Sequence, residues 1–240
     1  MNHEQIQWKI LDVFTECKVQ SFPVNIFKLI EHYNYEIFEY SDQSAAKQIA
    51  CMEVSEDSFR LKNAVYYNDT VPPYRRRFSL AHELGHIVLG HTEPYTLRME
   101  KEANYFASNI LAPRIAIHYA QCKNATHIEN RFNLSRSASK IAYEDYLQWR
   151  YYITQYGMRK IDQCMYIHFY DDFKKCFIWH RSTCPRCHAD LINRMECGLG
   201  ECEKNLRGQR CLDAIMAGRM YAAMQKKVDK EYLNYNQGFY

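Results

Sequence analysis

No stretch of this sequence approaches the ~18 consecutive apolar residues that a membrane-crossing helix needs, so no transmembrane segment is expected. Met1 to Gln7 are polar and lack the apolar core of a secretory signal. An excess of charge of one sign is lacking too. The 240 residues carry a net charge of +3, too little to suggest nucleic acid or membrane as the partner of the whole chain. Internal repeats and low-complexity linkers are missing. These absences leave a soluble cytoplasmic protein as the expectation, long enough for one main domain and a smaller one.

Cysteine is abundant. There are ten, and five of them fall between Cys184 and Cys211. In a reducing compartment such clustering suggests metal binding more than disulfides.

Ile6, Ile10, Val13, Phe14 and Cys17 recur at three- and four-residue steps and predict an amphipathic helix. Ser21-Phe22-Pro23 reads as the start of a second, with Pro in its first turn. Tyr35 to Tyr40 alternates as a short strand. Phe59 to Leu61 and Ala64 to Tyr67 read as two more, joined by a turn at Lys62-Asn63. Val71-Pro72-Pro73 then interrupts the pattern and delivers the chain to a new helix.

That helix carries His82-Glu83-x-x-His86. Residues four apart share a helix face about one turn apart, so the two imidazoles can share one tetrahedral Zn²⁺. Glu83 lies to the side of the pair. It can take a proton from water without being a ligand, as a general base must. A solvated helix with two incidental histidines is the bland alternative. Phe78, Ala81, Gly85 and Leu89 form an apolar stripe beside the histidines, which favours a buried face instead. Gly85 in a helix interior costs about 1 kcal/mol, a cost that close approach of another backbone would explain. Gly90 suits the residue just past the helix end.

A catalytic zinc needs a third protein ligand. His91 lies five positions beyond His86. That offset departs from the metzincin pattern, so His91 is read as exposed or as a neighbour of the ligands. The other candidates are Glu100 and Glu102. Met99, Ala103, Phe106, Ile110 and Leu111 give their helix an apolar face, and Pro113 marks its end. The two glutamates sit on opposite edges of that face, and helical geometry does not choose between them.

Arg77-Phe78-Ser79-Leu80-Ala81-His82-Glu83-Leu84-Gly85-His86, then Glu102-Ala103-Asn104-Tyr105-Phe106-Ala107, then Leu111-Ala112-Pro113, resembles the ImmA/IrrE family of metallopeptidases. The detailed likeness covers roughly residues 55 to 115. It implies a core like that of the thermolysin-type gluzincins, with Glu102 completing a zinc site on His82 and His86. It places the strand Ala64–Tyr67 near the cleft, where an extended substrate could pair with it. Tyr66, Tyr95, His91 and Arg98 are all available to stabilise a developing oxyanion, and nothing in the sequence ranks them.

Further on, His127 to Ile141 reads as helix, turn at Asn133, Ser135 as N-cap, and helix again. Such helix-turn-helix-like segments occur in the family. Arg136 and Lys140 are basic, but Glu144 and Asp145 follow, which favours packing or partner docking over DNA contact. Met165 to Tyr170 and Cys176 to Trp179 alternate and predict a hairpin across Asp171-Asp172. Cys184-x2-Cys187 and Cys197-x4-Cys202 resemble a zinc ribbon, with a structural Zn²⁺ on Cys184, Cys187, Cys197 and Cys202; His188 and Cys211 compete for two of those places. From Leu212 to Tyr232 a last helix is expected, richer in Lys and Arg than in acids.

The expected fold is therefore α+β: a helix-rich zincin-like core with a small sheet over residues 1–120, a helix-turn-helix-like segment over 121–160, and a Cys-rich zinc-ribbon-like region with a C-terminal helix over 161–240. The expected activity is that of an intracellular zinc endopeptidase with Glu83 as base. The resemblance implies a transcriptional repressor, often a helix-turn-helix protein, as substrate. The alternative is a regulator that docks a repressor or DNA on the same zinc fold without cutting it.

Overall fold

The computed structural model describes residues 1–198 and 200–209, together with 212, 215, 216, 219 and 220. They fall into two units, Met1–Arg181 and Ser182–Tyr240. Among them the α+β character is plain. No described helix is long and apolar enough to cross a membrane.

In chain order the first unit runs α1 (His3–Glu16), α2 (Ile26–His32), β1 (Glu36–Glu39), α3 (Ala45–Val54), β2 (Ser58–Leu61), β3 (Ala64–Tyr67), α4 (Pro73–Val88), α5 (Leu97–Leu111), α6 (Arg114–Tyr119), α7 (Ala125–Phe132), α8 (Arg136–Tyr156) and α9 (Lys160–Phe169). A two-residue ladder of β4 (Tyr170–Asp171) and β5 (Cys176–Phe177) follows. The strands β6 (Arg181–Thr183) and β7 (Asp190–Ile192) pair with each other.

The three-stranded sheet has the order β1-β3-β2. β3 runs parallel to β1 and antiparallel to β2, with Tyr66 opposite Phe38 on one side and Phe59 on the other. Those three rings stack along one face. Strand residues alternate between faces, so Ser58 and Arg60 of β2 share the other face with the buried Val65 and Tyr67 of β3. That face turns toward α4. Because β3 is bonded on both edges, it cannot accept a further strand, contrary to the expectation for Ala64–Tyr67. The edge that lines the cleft belongs to β2.

α4 begins at Pro73, preceded by Pro72, and is buried along Ser79, Leu80, Ala81, Glu83, Leu84, Gly85 and His86. It packs on α2, β2, β3 and above all α5. Arg77 bonds the carbonyls of Phe132 and Asn133 at 2.8 and 2.9 Å, and that of Val24 at 3.3 Å. It thereby ties the motif helix to the α7–α8 turn. At that turn Asn133 is left-handed (φ 54°) and Ser135 caps α8 through Ala138 N–H. One hydrophobic core gathers Ile6 and Phe14 of α1, Leu80 of α4, Phe106 of α5, Phe132 of α7, Trp149 of α8 and Phe169 of α9.

Three local expectations change. The second helix starts at Ile26, after the N-cap Asn25 whose side chain accepts from Lys28 N–H, rather than at Ser21-Phe22-Pro23. Phe22 is instead extended and buried, its N–H donated to Trp179 O at 3.1 Å. Met165 to Phe169 is helix, not strand: Ile161, Met165 and Phe169 are its buried apolar positions, and their four-residue spacing is helical. α3 was not foreseen, and it buries only Cys51. The expected last helix, Leu212 to Tyr232, lies for the most part outside the described residues, as does Cys211.

Candidate metal centre and catalytic cleft

The α4–α5 contact builds the site. Gly85 faces Ala103, and a Cβ there would meet the Ala103 backbone at 3.2 Å. Glu100 precedes Ala103 by three residues, so it lies on the same side of α5 and reaches the histidines. Its Oε2 is 3.2 Å from His82 Nε2, and its Oε1 is 3.6 Å from His86 Nε2. The two imidazole Nε2 atoms are 2.9 Å apart. A tetrahedral zinc with N and O bonds of about 2.0–2.1 Å sets ligand atoms roughly 3.3 Å from one another. The three side chains fit that ion.

Glu102 is turned away from this group. It lies on the other flank of α5, where its carboxylate meets His91 Nε2 at 3.2 Å, Arg98 Nε at 2.9 Å and the Met1 amino group. The candidate third ligand is thus Glu100, and Glu102 stands one residue further out.

His91 is buried, and the end of α4 explains why. Gly90 is left-handed (φ 68°). Gly90 N–H bonds Ile87 O, and His91 N–H bonds His86 O at 2.9 Å, the paired bonds of a Schellman turn. The turn folds His91 back until its Nδ1 lies 3.1 Å from His86 Nδ1. Asn104 Oδ1 lies 3.0 Å from His82 Nδ1. Both metal-facing histidines are therefore engaged at Nδ1.

Glu83 is buried, and its Oε1 accepts from Ser58 Oγ at 3.2 Å. Burial lifts its carboxyl to about 7, against the lowering pull of Ser58 and Arg60. Burial, helped by the charges of His82 and His91, drives His86 down to about 3, so its ring is neutral and able to ligate. A cleft of about 500 Å³ opens over these groups, lined by Ser58, Phe59 and Arg60 of β2 and by Tyr95.

Of the four oxyanion candidates, Tyr95 alone lines the cleft. Its ring stacks on His86 with centroids 3.9 Å apart, and its hydroxyl accepts from Arg60 at 2.9 Å. Tyr66 lies on the far face of the sheet, Arg98 is exposed beside Glu102, and His91 sits behind His86. Ser58, Arg60 and Asn104 had no assigned role in the sequence. Alternation along β2, extended one residue to Ser58, is the signal that groups the first two.

The second unit brings Cys184, Cys187, Cys197 and Cys202 together, their sulfurs all within 4.8 Å of one another. Cys184 and Cys202 are 3.5 Å apart, Cys187 and Cys197 3.7 Å. Four Zn–S bonds of about 2.3 Å would space the sulfurs roughly 3.8 Å apart. The backbone N–H groups of Cys187 and Arg186 hold the Cys184 thiol down, to about 6, while burial pushes Cys197 up. His188 does not join this group.

Residues 31–142 match the family model described as Peptidase_M78, IrrE N-terminal-like domain. This segment is a metallopeptidase domain of the ImmA/IrrE family. It runs from the end of α2 into the first turns of α8, so the metallopeptidase domain contains α4, α5 and the whole sheet. No curated protein matches the chain.

Proposed function

We propose that this chain is a zinc-dependent endopeptidase whose catalytic metal is held by His82, His86 and Glu100, with Glu83 as general base. The observation that carries this reading is the convergence of three ligand atoms at tetrahedral spacing beside a buried carboxylate that is not one of them. When bound, the metal supplies Lewis acidity toward a peptide carbonyl and makes water a stronger acid at neutral pH. Ser58 steadies Oε1 of Glu83, leaving Oε2 to take a proton from water and return it to the leaving amine. The Tyr95 hydroxyl, oriented by Arg60, donates toward the oxygen that gains charge. An extended substrate adds to the free edge of β2 at Phe59, with its backbone along the cleft.

Cys184, Cys187, Cys197 and Cys202 hold a second, structural zinc. The site is closed, with no place for a substrate. From the family resemblance, the substrate is a cytoplasmic transcriptional repressor of the helix-turn-helix kind.

Glu83→Gln tests the reading. The variant keeps its metal, and cleavage falls by about 10²–10⁴-fold. Full biological activity in this variant would overturn it in favour of a regulator that binds a repressor without cutting it.

A further inference from the structure

His86 is the most buried of the proposed ligands, at 1% exposure. Tyr95 stacked on its ring fixes the ring plane. What decides which of its nitrogens carries the proton lies on the other side. His86 Nδ1 faces His91 Nδ1 at 3.1 Å, His91 Nε2 faces Glu102 Oε2 at 3.2 Å, and Glu102 Oε1 accepts from Arg98.

We propose that Glu102 and His91 form a relay that sets the tautomer of His86 and so presents its Nε2 lone pair to the metal. The proposal rests on the zinc-site reading above. Its logic is one of hydrogen-bond direction. A carboxylate that accepts from Arg98 offers lone pairs on both oxygens, so His91 must donate to it from Nε2. A neutral imidazole has one N–H, so His91 Nδ1 is then an acceptor. The group facing it, His86 Nδ1, must donate. The only free lone pair on His86 is then at Nε2, the atom beside His82 Nε2 and Glu100. The reverse direction would aim a lone pair of His91 at the Glu102 carboxylate. It would also leave the His86 proton on the metal-facing nitrogen.

The two ligand histidines are thus positioned by different means. His82 donates to an amide oxygen, Asn104 Oδ1, which is neutral. His86 donates to a second imidazole backed by a carboxylate, which makes it the more basic ligand. Glu102 and His91 are positioning residues, acting through His86.

Two measurements on the full chain test this. In zinc-loaded wild-type protein labelled with ¹⁵N-histidine, nitrogen–proton correlation spectra at neutral pH should show His91 protonated at Nε2 and bare at Nδ1, facing the Nδ1–H of His86. Co²⁺ titration reads the nitrogen- and oxygen-ligated site apart from the thiolate one, whose sulfur charge-transfer bands are separate. Glu102→Ala and His91→Phe should each weaken Co²⁺ at the former by about 10–100-fold. Glu102→Gln, whose amide oxygen still accepts from His91, should bind close to wild type. His91 protonated at Nδ1 in the zinc-loaded wild type would overturn the relay, whatever the variants do. So would unchanged Co²⁺ affinity in both Glu102→Ala and His91→Phe. Glu100→Ala separates the two levels: if it leaves Co²⁺ binding at this site intact, the zinc-site reading itself fails.

Discussion

Gly85 on α4 and Ala103 on α5 are in backbone contact. A Cβ added at position 85 would sit 3.2 Å from both the Cα and the carbonyl oxygen of Ala103, and 3.2 Å from a Phe106 ring carbon. The two helices approach this closely because one of them lacks a side chain at the crossing. How closely they approach also sets how near Glu100 comes to His82 and His86. Gly85 thus links helix packing directly to the candidate metal centre.

Gly85→Ala should accordingly lose more than it gains. Ala favours a helix interior by about 1 kcal/mol over Gly, but overpacking against backbone that cannot swing aside costs about 1–3 kcal/mol. The expected outcome is a net loss of roughly 1 kcal/mol in chemical denaturation, with weaker metal binding by competition with a chelator. A stabilised variant with unchanged metal affinity would show that α5 can give way without moving Glu100.

Glu83 gives the metal-stripped protein a pH signature. Its folded carboxyl sits at about 7 against an ordinary value of 4.5, so the folded state holds this proton more tightly than the unfolded chain. That contribution is complete below about pH 4.5 and is lost as pH rises through 7. His86, depressed to about 3 from 6.5, works in the opposite sense: its contribution is present above 6.5 and is lost as pH falls through 3. It is common to wild type and Glu83→Gln and cancels in their difference. In chelator-treated samples, Glu83→Gln should gain on wild type as pH rises, reaching roughly 3 kcal/mol by pH 8. Parallel stability curves for the two proteins would contradict a buried, proton-holding Glu83.

Tyr95→Phe keeps the ring that stacks on His86 and removes only the hydroxyl that Arg60 orients. Metal content should be unchanged. The turnover rate on a peptide substrate should fall by about 10²–10³-fold, as when one oxyanion donor is lost, with little change in KM. A rise in KM alone would assign Tyr95 to substrate binding instead.

Cys184→Ala and Cys187→Ala each remove one sulfur from the cluster in the second unit. Zinc measured on the purified full chain should drop from two per chain to one. The remaining ion should still be lost in His82→Ala. If Cys184→Ala leaves stoichiometry untouched, these thiols hold no metal.

Local chemistry was readable from the sequence wherever a single residue type has a single strong conformational reason. Gly90 ends α4 left-handed, Ser135 caps α8, and a turn at Lys62-Asn63 joins β2 to β3. Each depends on neighbours within a few residues. Periodicity misled over Met165–Tyr170, where a half-buried helix with apolar residues at four-residue steps also contains an alternating stretch. It missed α3, whose exposed Ile49, Met52 and Val54 obey no core-facing pattern.

By itself the sequence determined the pair His82 and His86 with Glu83 beside them, because helix geometry alone sets residues four apart on one face. It determined the clustering of the cysteines and the order of helices around the motif. Which of Glu100 and Glu102 faces the two histidines was decided only by the tertiary structure. Both glutamates flank the apolar face of α5, and only the contact of Ala103 with Gly85 fixes which flank meets α4. The same holds for Ser58, Arg60 and Tyr95, which come from separate segments and meet at the cleft because the sheet lies against α4. A side chain's position along its own helix or strand is a local property; its partner across the core depends on how whole elements pack.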